Sequence, residues 1–257
     1  MSEREGGGGS VPVSVVIAAR DEAANIEACV SSVSWAREVI VVENDSSDDT
    51  VALAQRSGAT VMSHQFTTIG AQRNAAIERA ASEWILAVDA DERGSPALGE
   101  EIRRVVAGPD AHEAYRVPRR NFFLGREVKH GGWASDRPIR LFRSTLRYNA
   151  SRVHEHVDVK GAIGELSEPL AHSTYTSLDD YFEKLDRYSR WWAQDRHERG
   201  RRAGPLSVVF RPPARFVSMY FLRGGWMDGA AGAVLCSLAA ASVMAKYARL
   251  WELSASD

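Results

Sequence analysis

Cysteine is almost missing from this 257-residue chain: Cys29 and Cys236 lie far apart, with no pairing pattern and no metal-ligand spacing. That excludes a disulfide framework and suits a reducing compartment. A large charge of one sign is missing too. The formal net charge is −2, which gives no overall pull toward nucleic acid. Residues Met1–Ser10 form a polar, Gly-rich tail without the charged-then-apolar pattern of a secretory signal, so the active region is expected to be cytoplasmic. A membrane-spanning helix wants about 20 strongly apolar residues, and one stretch has to be weighed against that. This stretch, Gly229 to Ala245, is mostly Ala and Gly with Ser237 and Ser242 inside, and reads as a buried or interfacial helix ahead of a spanning one. What remains, 44% hydrophobic and 26% charged residues, is ordinary for a soluble globular protein.

The first half alternates short β-branched runs with helical patterns. Val13–Ala18, Glu38–Glu43, Thr60–His64 and Glu83–Val88 read as strands, the first two as continuous apolar runs buried on both faces. Ala23–Val33, Ser46–Ser57 and Gly70–Ala81 read as the helices between them. This cadence predicts βαβ units, a mainly parallel sheet, and ligands at the carboxyl ends of the strands. Three polar clusters fall at those ends: Arg20–Glu22, Glu43–Asp45 and Asp89–Glu92. Acidic groups gathered on one edge repel each other unless a cation or a hydrogen-bonding ligand sits among them.

The sharpest of these is Val88-Asp89-Ala90-Asp91-Glu92. Two carboxylates one residue apart at a strand end can reach a common point, and hard oxygen ligands suit Mg²⁺ or Mn²⁺ beside substrate phosphates. The plainer reading is the acidic first turn of a helix. Glu43 is placed to accept from a base N–H or a ribose hydroxyl, while Ser46, Ser47 and Asp48 are natural helix caps.

Taken in order, these motifs resemble family 2 glycosyltransferases of the GT-A fold, over Val13 to about Glu155. Val15-Val16-Ile17-Ala18-Ala19-Arg20-Asp21-Glu22 is similar to the family's opening strand and turn. Val41–Thr50 resembles its acidic Asp-Asp-Gly-Ser element, with Glu43 at the base-contacting acid. Gly70-Ala71-Gln72-Arg73-Asn74 resembles its Gly…Arg-Asn element, whose Arg lies near the nucleotide. Asp89-Ala90-Asp91 matches the metal motif, with Asp91 the direct ligand. Ala18-Ala19-Arg20 stands where Pro-Thr-Tyr is more usual, and Asn44-Asp45 where Asp-Gly is. His130–Trp133, Arg137–Arg143 and Val153-His154-Glu155 resemble a bacterial subgroup that includes lipopolysaccharide-core glucosyltransferases acting on heptose.

The resemblance implies a Rossmann-like, mainly parallel sheet flanked by helices, with a helical C-terminal extension. The expected division is a tail (1–10), a catalytic domain (11–175) and a helical region (176–257). It implies a metal-dependent inverting hexosyltransferase drawing on a UDP-sugar, with Mn²⁺ or Mg²⁺ as cofactor and a lipid-linked or cell-envelope saccharide as acceptor. Transfer to a polyprenyl phosphate is the near alternative, and a catalytically silent nucleotide-binding scaffold the distant one. Ala18, Arg20, Glu22, Glu43, Arg73, Asp89, Ala90, Asp91 and Arg140 are the expected donor-site residues; Asp89, Asp91 and His154 are the metal candidates.

Inverting transfer needs a base for the acceptor hydroxyl. Glu155 is the first candidate and Asp136 the second; an ion pair with Arg140, Arg143 or Arg152 is the plainer role for Glu155. Arg137 offers planar donors or belongs to a solvated strand face, and Trp133 stacks on a sugar or packs in a core. Past Ser177 the composition changes. Leu178–Arg202 reads as one long charged helix; Pro212-Pro213 then open a segment mixing Arg215, Phe216, Met219, Tyr220, Phe221, Leu222, Arg223 and Trp226, and Phe210 and Arg211 just before it extend the interleaving of aromatic and basic residues. That mixture suits peripheral contact with the inner face of the cell membrane, or a homo-oligomer contact.

Overall fold

The computed structural model describes residues 9–65, 67–109, 111–133, 135–149 and 155–255. The chain divides into two compact units, Met1–Arg119 with Arg137–Ala171, and Arg120–Asp136 with His172–Asp257.

The first unit is built on β1 (Val11–Ala19), β2 (Ala36–Glu43), β3 (Thr60–Ser63) and β4 (Trp84–Asp89), separated by α1 (Ile26–Ser32), α2 (Thr50–Arg56) and α3 (Ile69–Ile77). After the two-residue β5 (Glu92–Arg93) and α4 (Pro96–Val106) come β6 (Ala114–Arg116), β9 (Ile139–Arg143) and β10 (Ile163–Glu165). The seven-stranded sheet runs β10-β6-β9-β4-β1-β2-β3. β3, β2, β1 and β4 are mutually parallel, while β9 is antiparallel to both its neighbours. This is the expected α/β architecture with a mainly parallel sheet.

Both faces of the sheet are covered, which is why β1, β2 and β4 are apolar at nearly every position. Side chains alternate between faces with period two. Val13, Val15, Ile17, Val39, Val41, Leu86 and Val88 join one buried cluster with Ile26, Cys29 and Val30 of α1 and Leu98 and Ile102 of α4. Val16, Ile40, Val42, Ile85, Ala87 and Phe142 join another with Ala76 and Ile77 of α3. Each fully buried Val or Ile contributes about 1.5–3 kcal/mol. By the same parity Asp89 continues the Ile85–Ala87 row onto the α3 side, and Glu43 continues the Val39–Val41 row onto the opposite side.

Helix starts differ from expectation at two places. α1 opens at Ile26, because residues 21–23 are tied to the next loop instead. Asp21 adopts φ 54°, its Oδ1 accepts from Ser47 N–H (2.7 Å), and Ala23 N–H and Glu22 N–H donate to Asp48 Oδ2 (3.0 Å) and Thr50 Oγ1 (2.7 Å). α2 opens at Thr50, since Asp48 spends its carboxylate on that tie and on the Thr50 N–H at 3.0 Å. α4 is an element the sequence reading passed over, although Ser95 caps it (Oγ accepts from Leu98 N–H, 3.1 Å) and Pro96 sits at its first position.

In the second unit β7 (Arg119–Phe123) pairs with β8 (Arg126–Val128) across the two-residue turn Leu124-Gly125, both at positive φ, and β11 (Leu170–Tyr175) lies beside β7. α5 (Leu178–Glu198), capped by Ser177, is the expected long charged helix. α6 (Pro205–Val217) corrects the reading of its prolines. Pro212 and Pro213 lie inside the helix rather than opening a segment, and the helix runs on to Val217 while packing against α7. Each interior proline loses its own N–H bond and crowds the carbonyl four residues back, and the helix nevertheless continues through both. A π-type turn, Ser218–Leu222, and a 3₁₀ turn, Gly225–Asp228, lead into α7 (Gly229–Ala255). α7 extends ten residues past the apolar stretch read from sequence, because Lys246, Arg249 and Glu252 change its polarity but not its helicity.

Candidate active site

The parallel strands deliver their carboxyl ends to one edge, where Ala18 of β1 is paired with Asp89 of β4 and Ala19 with Glu43 of β2. The repulsion expected there is relieved by three guanidiniums. Asp89 accepts from Arg73 of α3 at Oδ1, and from Arg140 of β9 and Arg119 of β7 (2.8 Å) at Oδ2. Glu92 is 0% exposed, and its Oε1 accepts from Arg119 Nε at 2.6 Å and Arg140 Nη2 at 3.1 Å. Its Oε2 accepts the Asp89 N–H at 2.8 Å, so the turn after β4 is closed on itself. Arg73 turns its other nitrogen, Nη1, to Glu155 Oε1 at 3.1 Å. Three carboxylates and three guanidiniums thus form one charge-balanced cluster.

Burial pushes the Asp89 carboxyl up, but Arg140, Arg73 and Arg119 outweigh it and hold the group well below the usual carboxylate range. Arg140 is raised well above its ordinary value, burial working against it and the carboxylates of Asp89 and Glu92 prevailing.

The Gly70–Asn74 motif explains how Glu155 arrives. A Cβ at Gly70 would stand 2.8 Å from Asn149 O, 3.2 Å from Tyr148 Cβ and 3.5 Å from Glu155 Cβ, so only glycine admits that segment. Asn74 then fastens it, donating to Tyr148 O and accepting Tyr148 N–H, both at 2.9 Å. Tyr148 is bridged to Val157, and Asn149 N–H donates to His156 O at 3.0 Å. Arg73 lies over the Tyr148 ring, 5.0 Å from its centroid.

Arg73, Asp89, Arg119, Arg140, Tyr148 and Glu155 line a cavity of 780 Å³. Arg73 Nε, Arg140 Nε and Tyr148 Oη are buried without a hydrogen-bond partner among the described residues. Guanidiniums and a phenol with a hydrogen-bonding atom to spare, on the wall of a cavity, suit the oxygens of a phosphate ligand once the side chains shift to meet it. A metal ion beside such a ligand would need few protein oxygens. Among the described residues no three His, Cys, Asp or Glu side chains converge to hold one. Magnesium, however, is usually bound by one or two carboxylates plus substrate phosphates, and Asp91 is a half-buried carboxylate on the turn just past Asp89. Asp89 itself is engaged by the three arginines. His154 lies outside the described residues.

The remaining candidates are placed elsewhere. Arg20 is exposed, with Nε 3.6 Å from Asp21, and Glu22 accepts from Asn25 Nδ2 at 2.9 Å. Glu43 is buried at its strand end, accepting the Ser46 N–H at 3.2 Å, on the sheet face away from α3. Ala90 is buried. Arg137 makes an exposed pair with Glu165 at 3.0 Å, the plainer of its two readings. Asp136 falls in the second unit, where it lines a separate cavity with Trp133. Trp133 packs against the buried cluster of Phe123, Val128 and Leu235, so part of it is core. Arg119, Glu92 and Tyr148 were not selected from sequence; no spacing marks Arg119, and the only signal for Glu92 is its place in the acidic run after β4.

The family profile described as "Glycosyl transferase family 2" matches residues 14–161. Among curated proteins, the chain is similar to the lipopolysaccharide core biosynthesis glycosyltransferase LpsC of Rhizobium meliloti, with 29% identity over 93% of this chain and 94% of that protein. It is also 27% identical to the uncharacterized glycosyltransferase RT0209 of Rickettsia typhi, over 94% of this chain and 87% of that protein. Among solved structures, glucosyl-3-phosphoglycerate synthase from Mycobacterium tuberculosis aligns with TM-score 0.38 and 23% identity over 42% of this chain and 43% of that one. Every member of the arginine–carboxylate cluster, from Arg73 to Glu155, falls inside the span of the family profile, on a GT-A-type sheet: the chain belongs to glycosyltransferase family 2.

Proposed function

We propose that this enzyme moves a hexosyl group, with inversion, from a UDP-sugar to a saccharide acceptor of the lipopolysaccharide core or a related lipid-linked envelope glycan. The acceptor class is supported by the name of the LpsC relative, which is similar over nearly its full length. The UDP donor rests on the family resemblance. The observation that carries the reading is the Arg73 bridge, which sets Glu155 beside Asp89 in one cavity.

In this reading the donor diphosphate lies against Arg73, Arg140 and Tyr148, each of which keeps one polar atom without a hydrogen-bond partner among the described residues. Glu155 is the base. Its Oε1 is held by Arg73, and its side chain is 17% exposed in the cavity. It takes the proton from the acceptor hydroxyl as that oxygen bonds to C1, while the bond from C1 to the diphosphate oxygen breaks and the electron pair leaves with UDP. A bound Mn²⁺ or Mg²⁺, held by Asp91, would offset the charge developing on that leaving group.

The test is a melting-temperature panel with UDP, GDP, CMP and UDP-sugars, each with Mn²⁺ or with EDTA. A ligand at about 100 times its Kd adds roughly 2.7 kcal/mol, which such a curve resolves. Stabilisation by UDP and UDP-sugars in Mn²⁺ alone is expected; preference for another nucleotide overturns the donor, and equal stabilisation in EDTA overturns the metal. Glu155→Gln should lose turnover while keeping UDP binding. Full turnover in that variant would point to a polyprenyl phosphate acceptor, which has no hydroxyl proton to remove.

A further inference from the structure

Helix α6 is amphipathic the wrong way round for a water-facing helix. None of its residues is buried. At 100° per residue, Leu206, Phe210 and Val217 fall on one face, while Arg211 and Arg215 fall on the other. The basic face is the one turned to α7: Arg211 lies over the ring of Tyr247, 4.5 Å from its centroid. The apolar face is left to solvent, with Leu206 71% and Phe210 63% exposed. The turn that follows continues it, since Leu222 is 80% exposed and Phe221, Trp226 and Met227 are each more than half exposed. Soluble monomers rarely present contiguous apolar surface on this scale unless something covers it.

The charge around this surface indicates what does. Arg215 and Arg223 line a cavity of 310 Å³ with Gly131, Gly132, Trp133 and Asp136, and neither guanidinium has a carboxylate partner among the described residues. Nearby Asp228 is committed elsewhere, accepting the Lys129 and His130 N–H groups at 3.1 and 2.8 Å, with the His130 ring 2.8 Å away. The cavity wall is fixed in advance. Gly131 N–H donates to Arg223 O at 2.9 Å, and a Cβ on Gly132 (φ 99°) would stand 2.8 Å from Arg223 Nη1. Two guanidiniums without a carboxylate partner among the described residues, beside exposed aromatics, match an anionic, amphipathic partner.

We propose that this surface docks the enzyme on an anionic lipid bilayer, with the outer face of α6 and the Phe221–Met227 turn in the acyl boundary and Arg215 and Arg223 receiving a headgroup phosphate. The segment Gly225–Ala255 is long and apolar enough to cross a membrane, with mean hydropathy 1.5. It lies along the charged helix α5 instead, where Tyr181 Oη donates to Leu238 O at 2.6 Å and Arg249 pairs with Asp186, so spanning would drag α5 into lipid. The enzyme therefore lies on the bilayer. This inference is independent of the donor and acceptor assigned above.

The test is co-sedimentation of the full chain with vesicles of phosphatidylglycerol or of phosphatidylcholine, at about 0.1 M salt, where screening is moderate. Binding to phosphatidylglycerol vesicles, at least tenfold tighter than to phosphatidylcholine and weakened by salt, is expected. The Phe221→Ser/Leu222→Ser/Trp226→Ser variant should lose binding to both. Arg215→Glu/Arg223→Glu should lose the preference for phosphatidylglycerol while keeping the melting temperature. Lipids brominated on their acyl chains should quench part of the wild-type tryptophan fluorescence, and Trp226→Phe should remove that part. No sedimentation with phosphatidylglycerol overturns the proposal. So does a dimer in solution that the triple serine variant splits, which would assign the face to a second copy of the chain.

Discussion

Arg119 Nε meets Glu92 Oε1 at 2.6 Å, and Glu92 is shut off from solvent. Removing one partner of a buried pair leaves an uncompensated charge, at a cost of about 3–5 kcal/mol. Arg119→Met is therefore expected to destabilise by about 3 kcal/mol, the low end, because Arg140 still reaches Glu92. Urea unfolding measures it, and a change within experimental error would mean the pair does not hold the turn after β4.

Asp91→Ala is expected to abolish metal-dependent UDP binding while leaving the melting temperature of the free protein within about 2 °C, since half-exposed polar substitutions seldom exceed 0.5 kcal/mol. Calorimetric titration of UDP in Mn²⁺ decides it. Tight binding by the variant would remove Asp91 from the metal site.

Gly70→Ala tests the approach of the Glu155 segment. The new methyl group must displace Asn149 O, which would lie 2.8 Å away. A misplacement near 1 Å can cost about 100-fold in rate, so kcat should fall by roughly 10- to 100-fold with much less change in UDP affinity. Unchanged kcat would separate Glu155 from the chemistry.

Acid should loosen the second unit through Asp228. Burial raises its pKa, but hydrogen bonds from the His130 ring and from the His130 and Lys129 N–H groups prevail and lower it. A depressed carboxylate stabilises fully above its unfolded pKa, about 3.9, and the contribution fades as pH drops through the folded value. Asp228→Asn should flatten the decline of melting temperature below about pH 4 relative to wild type. Parallel acid limbs would show that the clamp has no weight.

β1, β2 and β4 were legible because burial on both faces writes continuous apolar runs, and the strand-end rule then pointed to Asp89 without any contact information; the order of the seven strands was not, since β6, β9 and β10 come from short runs in the irregular middle of the chain. Gly70 and Asn74 were recognisable as a motif, but their work, admitting and fastening residues 148–149, depends on a segment more than 70 positions away. Arg119 was hidden for the same reason: its two acids, Asp89 and Glu92, come from another strand and its turn. α4 was overlooked despite its cap and first-position proline. Pro212-Pro213 misled because a breaker rule applies to isolated propensity, and packing of α6 on α7 outweighs it.

The parity of β4 carries a further consequence. Ile85, Ala87 and Asp89 share the α3 side only because the strand alternates without interruption from Trp84 onward. One inserted or deleted residue there would turn the Asp89 carboxylate to the other side of the sheet and strand Arg73, Arg119 and Arg140 without their common partner. The span from Trp84 to Asp89 is therefore length-intolerant, a fixed ruler between scaffold and chemistry. The hydrophobic residues within it can be exchanged for one another, but they cannot be recounted.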